Sequence, residues 1–278
     1  MQENSQLVNL QNEIRSRYDN LSKRLKQVAQ YVLDNNNSVV FDTVATISER
    51  AGVPPSTLIR FANAFGFSGF NEMKQIFREN LMEETVSYTE RLQVFRQLEP
   101  EQGGQESPSD ILNIFAQANS HALQQLANQT SSEQLQSAVE ILNDAHNIFI
   151  VGLKRSFSVA CYLDYALHHL DCRSFVINGL GGMFDEQLNQ VKEGDVVVAI
   201  SFSPYAKETL EIMHTSSQKG IKQIAITDSQ ISPLITFSDV SFVIKEAQAR
   251  GFRSQCAAMT LVQTLAIALA LKKEQQIN

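Results

Sequence analysis

The stretch VVVAISFSPYAKET, residues 196–209, runs apolar for five positions, breaks at Ser201, offers a second hydroxyl at Ser203 and ends in Lys207, Glu208 and Thr209. A run that is apolar at successive positions has no solvent face, so it belongs to a parallel sheet covered by helices on both sides. Four further runs share this character: NIFIVG (147–152), RSFVIN (173–178), KQIAIT (222–227) and VSFVI (240–244), with amphipathic helical stretches between them. The alternation predicts a doubly wound α/β domain with a five-stranded parallel sheet, whose ligands sit at the carboxyl ends of the strands.

In such a sheet, a strand ending in Ser201-Phe202-Ser203 places hydroxyls and backbone N–H groups at the start of a helix, which we expect near Tyr205. Unpaired amides, the helix dipole and neutral hydroxyl donors together favour an anion, and a phosphate monoester fits best. The first strand runs into VGLKRSFSVA (151–160). There Gly152 is expected to permit a tight turn, and Ser156 and Ser158 flank the next helix start beside Lys154 and Arg155. The plainer alternative for each loop is helix capping by serine; two such loops on adjacent strand tips favour a site. The loop NGLGGMFDEQ (178–187) is expected to face the same ligand.

A second stretch, VATISERAGVPPSTLIRF (44–61), fits a helix-turn-helix. Gly52 falls at the sharp turn, Ile47, Ala51 and Val53 surround it, and small Ser48 lies where the helices touch. Pro54 and Pro55 suit the turn and the first helical position, and Leu58, Phe61, Ala62 and Phe65 form an inner face. Ser56, Thr57, Arg60 and Asn63 are then expected outside, where hydroxyls, a guanidinium and an amide read base edges in the major groove. A helical hairpin with a polar exterior is the alternative.

The rest of residues 1–80 reads as short helices with apolar side chains at helical spacing (Leu25, Val28, Ala29, Val32). This predicts an all-α DNA-binding unit over 1–80, a helical and flexible linker over 81–110, and the α/β unit over 111–278. Residues 98–110, LEPEQGGQESPSD, carry the Pro, Gly and acid of a linker. The chain is acidic, with net charge −7. Residues 1–80 nonetheless hold nine Lys and Arg against eight Asp and Glu. Arg15, Arg17, Lys23, Arg24 and Lys26 surround a lone Asp19 there, a patch for phosphates in which Lys23 and Arg24 are the chosen contacts; a solvated helix face is the alternative. With 43% hydrophobic and 19% charged residues the chain is globular. We find no run approaching the roughly 20 apolar residues of a membrane span and no signal peptide, so the protein is expected in the cytoplasm without a membrane partner. The scattered Cys161, Cys172 and Cys256 read as reduced core residues, and the histidines show no metal-ligand spacing.

The residues SFSPYAKE (201–208) resemble the hallmark of the sugar isomerase, or SIS, domain, a strand followed by Ser-x-Ser-Gly-x-Thr-x-Glu/Asp. Ser201, Ser203 and Glu208 match; Pro204 and Ala206 replace the Gly and Thr. VGLKRSFS, AITDSQISPL (225–234) and RGFRSQCA (250–257) extend the likeness over about residues 110–272. RFANAFGFSGF (60–70) resembles the RpiR/MurR family of bacterial transcriptional regulators, in which a helix-turn-helix domain is joined to a SIS domain. That resemblance implies a homodimer or higher oligomer on double-stranded operator DNA. It also implies control of carbohydrate genes by a phosphorylated sugar or sugar acid, with no cofactor. The effector contacts would be Arg155, Ser156, Ser158, Ser201, Ser203, Lys207 and Glu208; either Lys207, Arg155 or Ser156 compensates for the lost Gly and Thr, or the ligand differs from the family's usual sort. Because SIS domains also isomerise sugar phosphates, the competing reading is an isomerase with a helical appendage, with Glu208, Glu246, His168 or His169 as base.

Overall fold

The computed structural model describes residues 6–84, 87–98 and 107–277, so residues 85–86 and 99–106 of the predicted linker lie outside the described residues. The chain divides into two compact units, Met1–Glu106 and Ser107–Asn278.

The first unit is helical: α1 (Gln6–Arg17), α2 (Lys23–Asp34), α3 (Asn36–Phe41), α4 (Val44–Arg50), α5 (Pro55–Ala64), α6 (Phe70–Glu84) and α7 (Tyr88–Leu98). Its core gathers Ile14, Val28, Ala29, Val32, Ile47, Leu58, Phe61, Met73 and Phe77. Helices α4 and α5 form the helix-turn-helix. Thr43 caps α4 by accepting the Thr46 N–H at 3.1 Å. Gly52 turns the chain at φ +65°, a conformation that costs a residue with a Cβ. Buried Ser48 donates its hydroxyl to the Val53 carbonyl, so its small size and its polarity are both used. Pro55 opens α5 where a missing N–H costs nothing.

Thr57 does not face outward as expected; it is 4% exposed. Residues 57, 61 and 65 lie on one i, i+4 row, so Thr57 stands in line with Phe61 and Phe65 and is carried inside with them.

The second unit begins with α8 (Pro108–Gln129) and α9 (Ser132–Asp144), each opened by a reciprocal serine capping box, at Ser107 and Ser131. Then follow β1 (Ile148–Gly152), α10 (Phe157–His168), β2 (Ser174–Ile177), α11 (Phe184–Leu188), β3 (Val196–Ile200), α12 (Lys207–Gln218), β4 (Lys222–Thr227) and β5 (Val240–Val243). The five expected strands make one parallel sheet in the order β2-β1-β3-β4-β5. Alternate residues feed two cores. Ile148, Ile150, Val196, Val198, Ile224 and Ile226 pack with α9, α10 and the last helix. Phe149, Val151, Val197, Ala199 and Ala225 pack with α11 and α12.

A short antiparallel hairpin, β6 (Gln248–Ala249) and β7 (Phe252–Arg253), is additional; at two residues per strand it offers no period to read. It leads into α13 (Cys256–Ile277). Contrary to the expectation that no segment is apolar enough, Cys256–Gln276 is long and apolar enough to cross a membrane by length and composition. Its apolar character has another use here, since Ala257, Ala258, Leu261, Val262, Leu265 and Leu269 complete one of the sheet's two cores. Cys161, Cys172 and Cys256 are free and half-buried.

Gly152 closes β1, and what it supplies is close approach rather than a turn: a Cβ there would lie 2.7 Å from the Ser156 carbonyl oxygen. Gly152→Ala is therefore expected to destabilise the α/β unit by about 1–3 kcal/mol, as overpacking does. Urea denaturation checks it.

Candidate functional site

With strand order 2-1-3-4-5, the chain reverses direction of winding between β1 and β3, and these strands are direct neighbours with Gly152 opposite Ile200. Helix α10 leaves toward one face and α12 toward the other. The two following loops therefore border one crevice at the carboxyl edge, the usual ligand position in such sheets.

The loop after β3 is more self-contained than its sequence suggests. Ser201 is buried, and its Oγ accepts the Ala206 N–H at 3.3 Å. The Ser203 N–H is donated to Asp228 Oδ2 at 3.0 Å. Pro204 has no N–H. With these groups held inside the turn, α12 starts at Lys207 with Ala206 as its N-cap, close to the expected start near Tyr205. Lys207 and Glu208 are exposed on its first turn, and Lys207 pairs with Glu211 at 3.0 Å.

In the loop after β1, Ser156 is buried and precedes α10 without a side-chain cap. Ser158 donates to Gln255 Oε1 at 2.6 Å, and the Gln255 amide donates to the Arg155 carbonyl. These bonds tie the β1 loop to the segment entering α13. Residues 178–187 follow β2 at the same edge, where the Asn178 and Gly179 N–H groups bond to Gln187 Oε1.

Four residues outside the expected effector contacts, Asp228, Tyr205, Arg253 and Lys245, organise this edge. Asp228, just after β4, accepts from the Ser203 N–H and, at 2.9 Å, from the Tyr205 hydroxyl. Arg253 of β7 stands 3.7 Å from Asp228 Oδ2 and donates to the Ser203 carbonyl at 3.2 Å. Lys245 donates to the Asp228 carbonyl at 2.6 Å. Burial and the Asp228 charge push the Tyr205 hydroxyl up to about 12. The only sequence signal for Asp228 and Arg253 was their presence inside AITDSQISPL and RGFRSQCA, among residues of many other kinds.

The residues weighed as an isomerase base are not brought together. Glu246 accepts the Ala257 and Ala258 N–H groups at 3.1 and 2.7 Å and thus caps α13. Burial raises its pKa, and those N–H groups with Arg253 and Arg155 partly offset the rise. His168 lies beside Asp164 and Ser174, the first residue of β2, at the opposite edge of the sheet.

On the helical unit, Ser56, Arg60 and Asn63 are exposed on α5. Ile59, 49% exposed, joins them at i, i+3, i+4, i+7 spacing and was missed because an apolar residue reads as core. The Asn63 amide, oriented by its neighbours, donates to the Phe67 carbonyl at 2.8 Å, which ties it to the end of its own helix. Lys23 and Arg24 are exposed at the start of α2, which packs on α5. Lys23 and Lys26 line a surface groove of about 750 Å³ with Gln27, Tyr31 and Arg50. Arg50 itself is held by Asp42 at 2.6 Å.

The two units have recognisable counterparts. Residues 8–84 match the helix-turn-helix domain of the rpiR family, and residues 141–271 match the SIS domain. The chain thus has the makeup of a helix-turn-helix transcriptional regulator with a SIS domain. Its helix-turn-helix domain is of the rpiR family and is joined in one chain to a SIS domain. An uncharacterized HTH-type transcriptional regulator of Caldanaerobacter subterraneus subsp. tengcongensis is 26% identical over 260 residues, 90% of this chain and 86% of that protein. Among solved structures, the sugar isomerase domain of an RpiR transcription factor from Sphaerobacter thermophilus aligns with TM-score 0.56 and 24% identity, covering 59% of this chain and 92% of that one. The Vibrio vulnificus NanR protein complexed with ManNAc-6P aligns with TM-score 0.55 and 21% identity over 96% of this chain and 97% of that one. At these identities the structural likeness shows the fold.

Of the six tyrosines, Tyr205 should titrate near 12. Its pKa is raised in the folded state, so the stabilisation it contributes is complete below about pH 10 and is lost as pH rises toward its folded value. A spectrophotometric titration of tyrosinate should show one strongly delayed group, and Tyr205→Phe should remove it.

Proposed function

We propose that this protein regulates carbohydrate genes, its helix-turn-helix unit binding operator DNA and its SIS unit sensing a phosphorylated sugar, without catalysing a reaction. The joining in one chain of an rpiR-family helix-turn-helix to a SIS domain carries this reading. A protein of the same fold is complexed with a phosphorylated sugar, which supports the choice of ligand class. Against an isomerase role stands the engagement of Glu246 in capping α13 and the position of His168 at the far edge of the sheet.

On the DNA side, Arg60 is the specificity contact. A guanidinium can bridge two acceptors of guanine, and Ile59 beside it presents an apolar surface suited to a thymine methyl. Ser56 and Asn63 border this face, and Lys23 and Arg24 supply charge to phosphates. Thr57 supports the face from inside. Arg60→Ala should lower the preference for operator over random DNA by about 1–3 kcal/mol. Neutralising Lys23 and Arg24 together should weaken binding to every sequence and flatten its salt dependence. A normally folded Arg60→Ala variant with an unchanged specificity ratio removes that residue from the reading face. An unchanged salt slope makes the lysine-arginine pair a solvated surface.

On the effector side, Ser201 and Ser203 hold the phosphate, with Arg155, Ser156, Ser158, Lys207 and Glu208 around the sugar. Calorimetry with paired phosphorylated and unphosphorylated sugars tests it. Ser201→Ala with Ser203→Ala should weaken binding of the phosphorylated member while DNA binding persists; equal affinity for both members of every pair contradicts the reading.

The protein acts as a homodimer. Thr260, Thr264, Ile267 and Leu271 are exposed on α13 at spacings of four, three and four residues, the spacing of a two-helix seam. Ile267 and Leu271 are 58% and 55% exposed in the single chain. Sedimentation of the full chain at micromolar concentration should give a dimer, and Ile267→Glu should give a monomer; a wild-type monomer contradicts the assignment.

A further inference from the structure

The backbone amide best placed to receive a phosphate at the start of α12 already holds an anion, and that anion belongs to the protein. Asp228 Oδ2 accepts the Ser203 N–H at 3.0 Å and lies 3.7 Å from Arg253 Nη1, while Oδ1 takes the Tyr205 hydroxyl at 2.9 Å. The Asp228 and Arg253 side chains are only 16% and 15% exposed. A carboxylate so held uses an amide, a hydroxyl and a guanidinium, the donor set a phosphate ester would use. Like charges cannot share that set in a partly desolvated crevice, because their repulsion there is not screened as it is in water. A phosphate enters this loop only as the carboxylate leaves.

We propose that Asp228 is a resident competitor at the anion site: the effector's phosphate exchanges with its carboxylate at the Ser203 amide and takes over Arg253. This deepens, and rests on, the reading of this edge as a phosphosugar site. It also narrows the ligand. A sugar acid offers one carboxylate in place of another and gains nothing in the exchange. A dianionic phosphate carries more charge and a third oxygen to the same donors and to Arg253. The substitutions at Pro204 and Ala206 fit this arrangement. Without an amide at 204 and a hydroxyl at 206, the loop has fewer donors to spare, and the competitor is correspondingly harder to displace.

The test is calorimetry on the full chain with inorganic phosphate as probe, alongside a panel of hexose and pentose phosphates, comparing wild type, Asp228→Asn and Asp228→Ser. Both variants remove the charge and retain a polar group beside Ser203. At least tenfold tighter phosphate binding in both, with an unchanged circular dichroism spectrum, supports the exchange; equal or weaker binding overturns it. If the variants do not fold, the wild-type protein still decides. Displacing Asp228 changes the hydrogen bond of Tyr205, and with no tryptophan in the chain tyrosine dominates the near-ultraviolet spectrum. Saturating phosphate should produce a tyrosine difference spectrum that Tyr205→Phe abolishes, and no such spectrum overturns the proposal. A phosphorylated sugar that binds wild type and the Asp228 variants equally sinks the exchange and leaves the effector site standing. A gain for phosphate with no binding of any sugar phosphate sinks the effector reading and leaves the exchange. Silence of all proteins toward every phosphate overturns both.

Discussion

The pairing of β1 with β3 is the contact on which the α/β unit's chemistry depends. It is an ordinary parallel ladder, but because β1 also carries β2 on its other edge, the helices that follow β1 and β3 must cover opposite faces. Their departure leaves the crevice between the two strand tips uncovered by either helix. Everything that could recognise a ligand is brought to that edge by the sheet and not by local sequence. Ser156 and Ser158 come with one loop, Ser201 and Ser203 with the next, Asp228 from the end of β4 and Arg253 from a hairpin beyond β5. The sheet holds these positions because its central strands are buried on both faces, so no strand can slip by one residue without moving its side chains into the wrong core.

That same burial made the sheet legible. The unbroken apolar runs of β1 and β3 leave no solvent face and are buried throughout, while the runs broken by Ser174 and Ser241 form the partly exposed edge strands β2 and β5. The helix-turn-helix was legible for a related reason: its turn demands Gly52, a small residue at Ser48 and apolar partners at fixed offsets, and few chains meet all of these by accident. Errors arose where a residue's setting depends on groups distant in sequence. Thr57 is polar and by residue type belongs outside, although its row with Phe61 and Phe65 carries it inside. The closure of the turn before α12 has no local signal, because Ser201 and Asp228, which hold it, lie five residues before and 22 residues after Ala206. Asp228 and Arg253 themselves have no local pattern; they acquire a role only when β4 and the hairpin are folded beside β3.

At the carboxyl edge buried charges are set against one another. Arg253 faces Asp228, both arginines offset the charge of Glu246, and the acidic surplus of the chain lies outside residues 1–80. An anion site opposed in this way would not attract anions indiscriminately, which would suit the proposed sensing of a phosphorylated sugar among abundant carboxylates. Its selectivity resides in what an incoming group offers beyond the resident one. On the helical unit Lys23, Arg24 and Arg60 are exposed, where the proposed DNA binding would draw on long-range attraction to a polyanion.

A regulator of this makeup must couple the two events, and coupling between binding sites is reciprocal: the factor by which one ligand changes the affinity of the other is the same in both directions, typically 5- to 150-fold. The most direct measurement is therefore a pair of titrations on the full chain with operator recovered by selection from random DNA, one of operator binding with and without the phosphorylated sugar, the other of sugar binding with and without operator. The account predicts equal factors different from one. Factors of one in both directions, with both ligands bound, would show that the crevice at the carboxyl edge does not govern the helix-turn-helix.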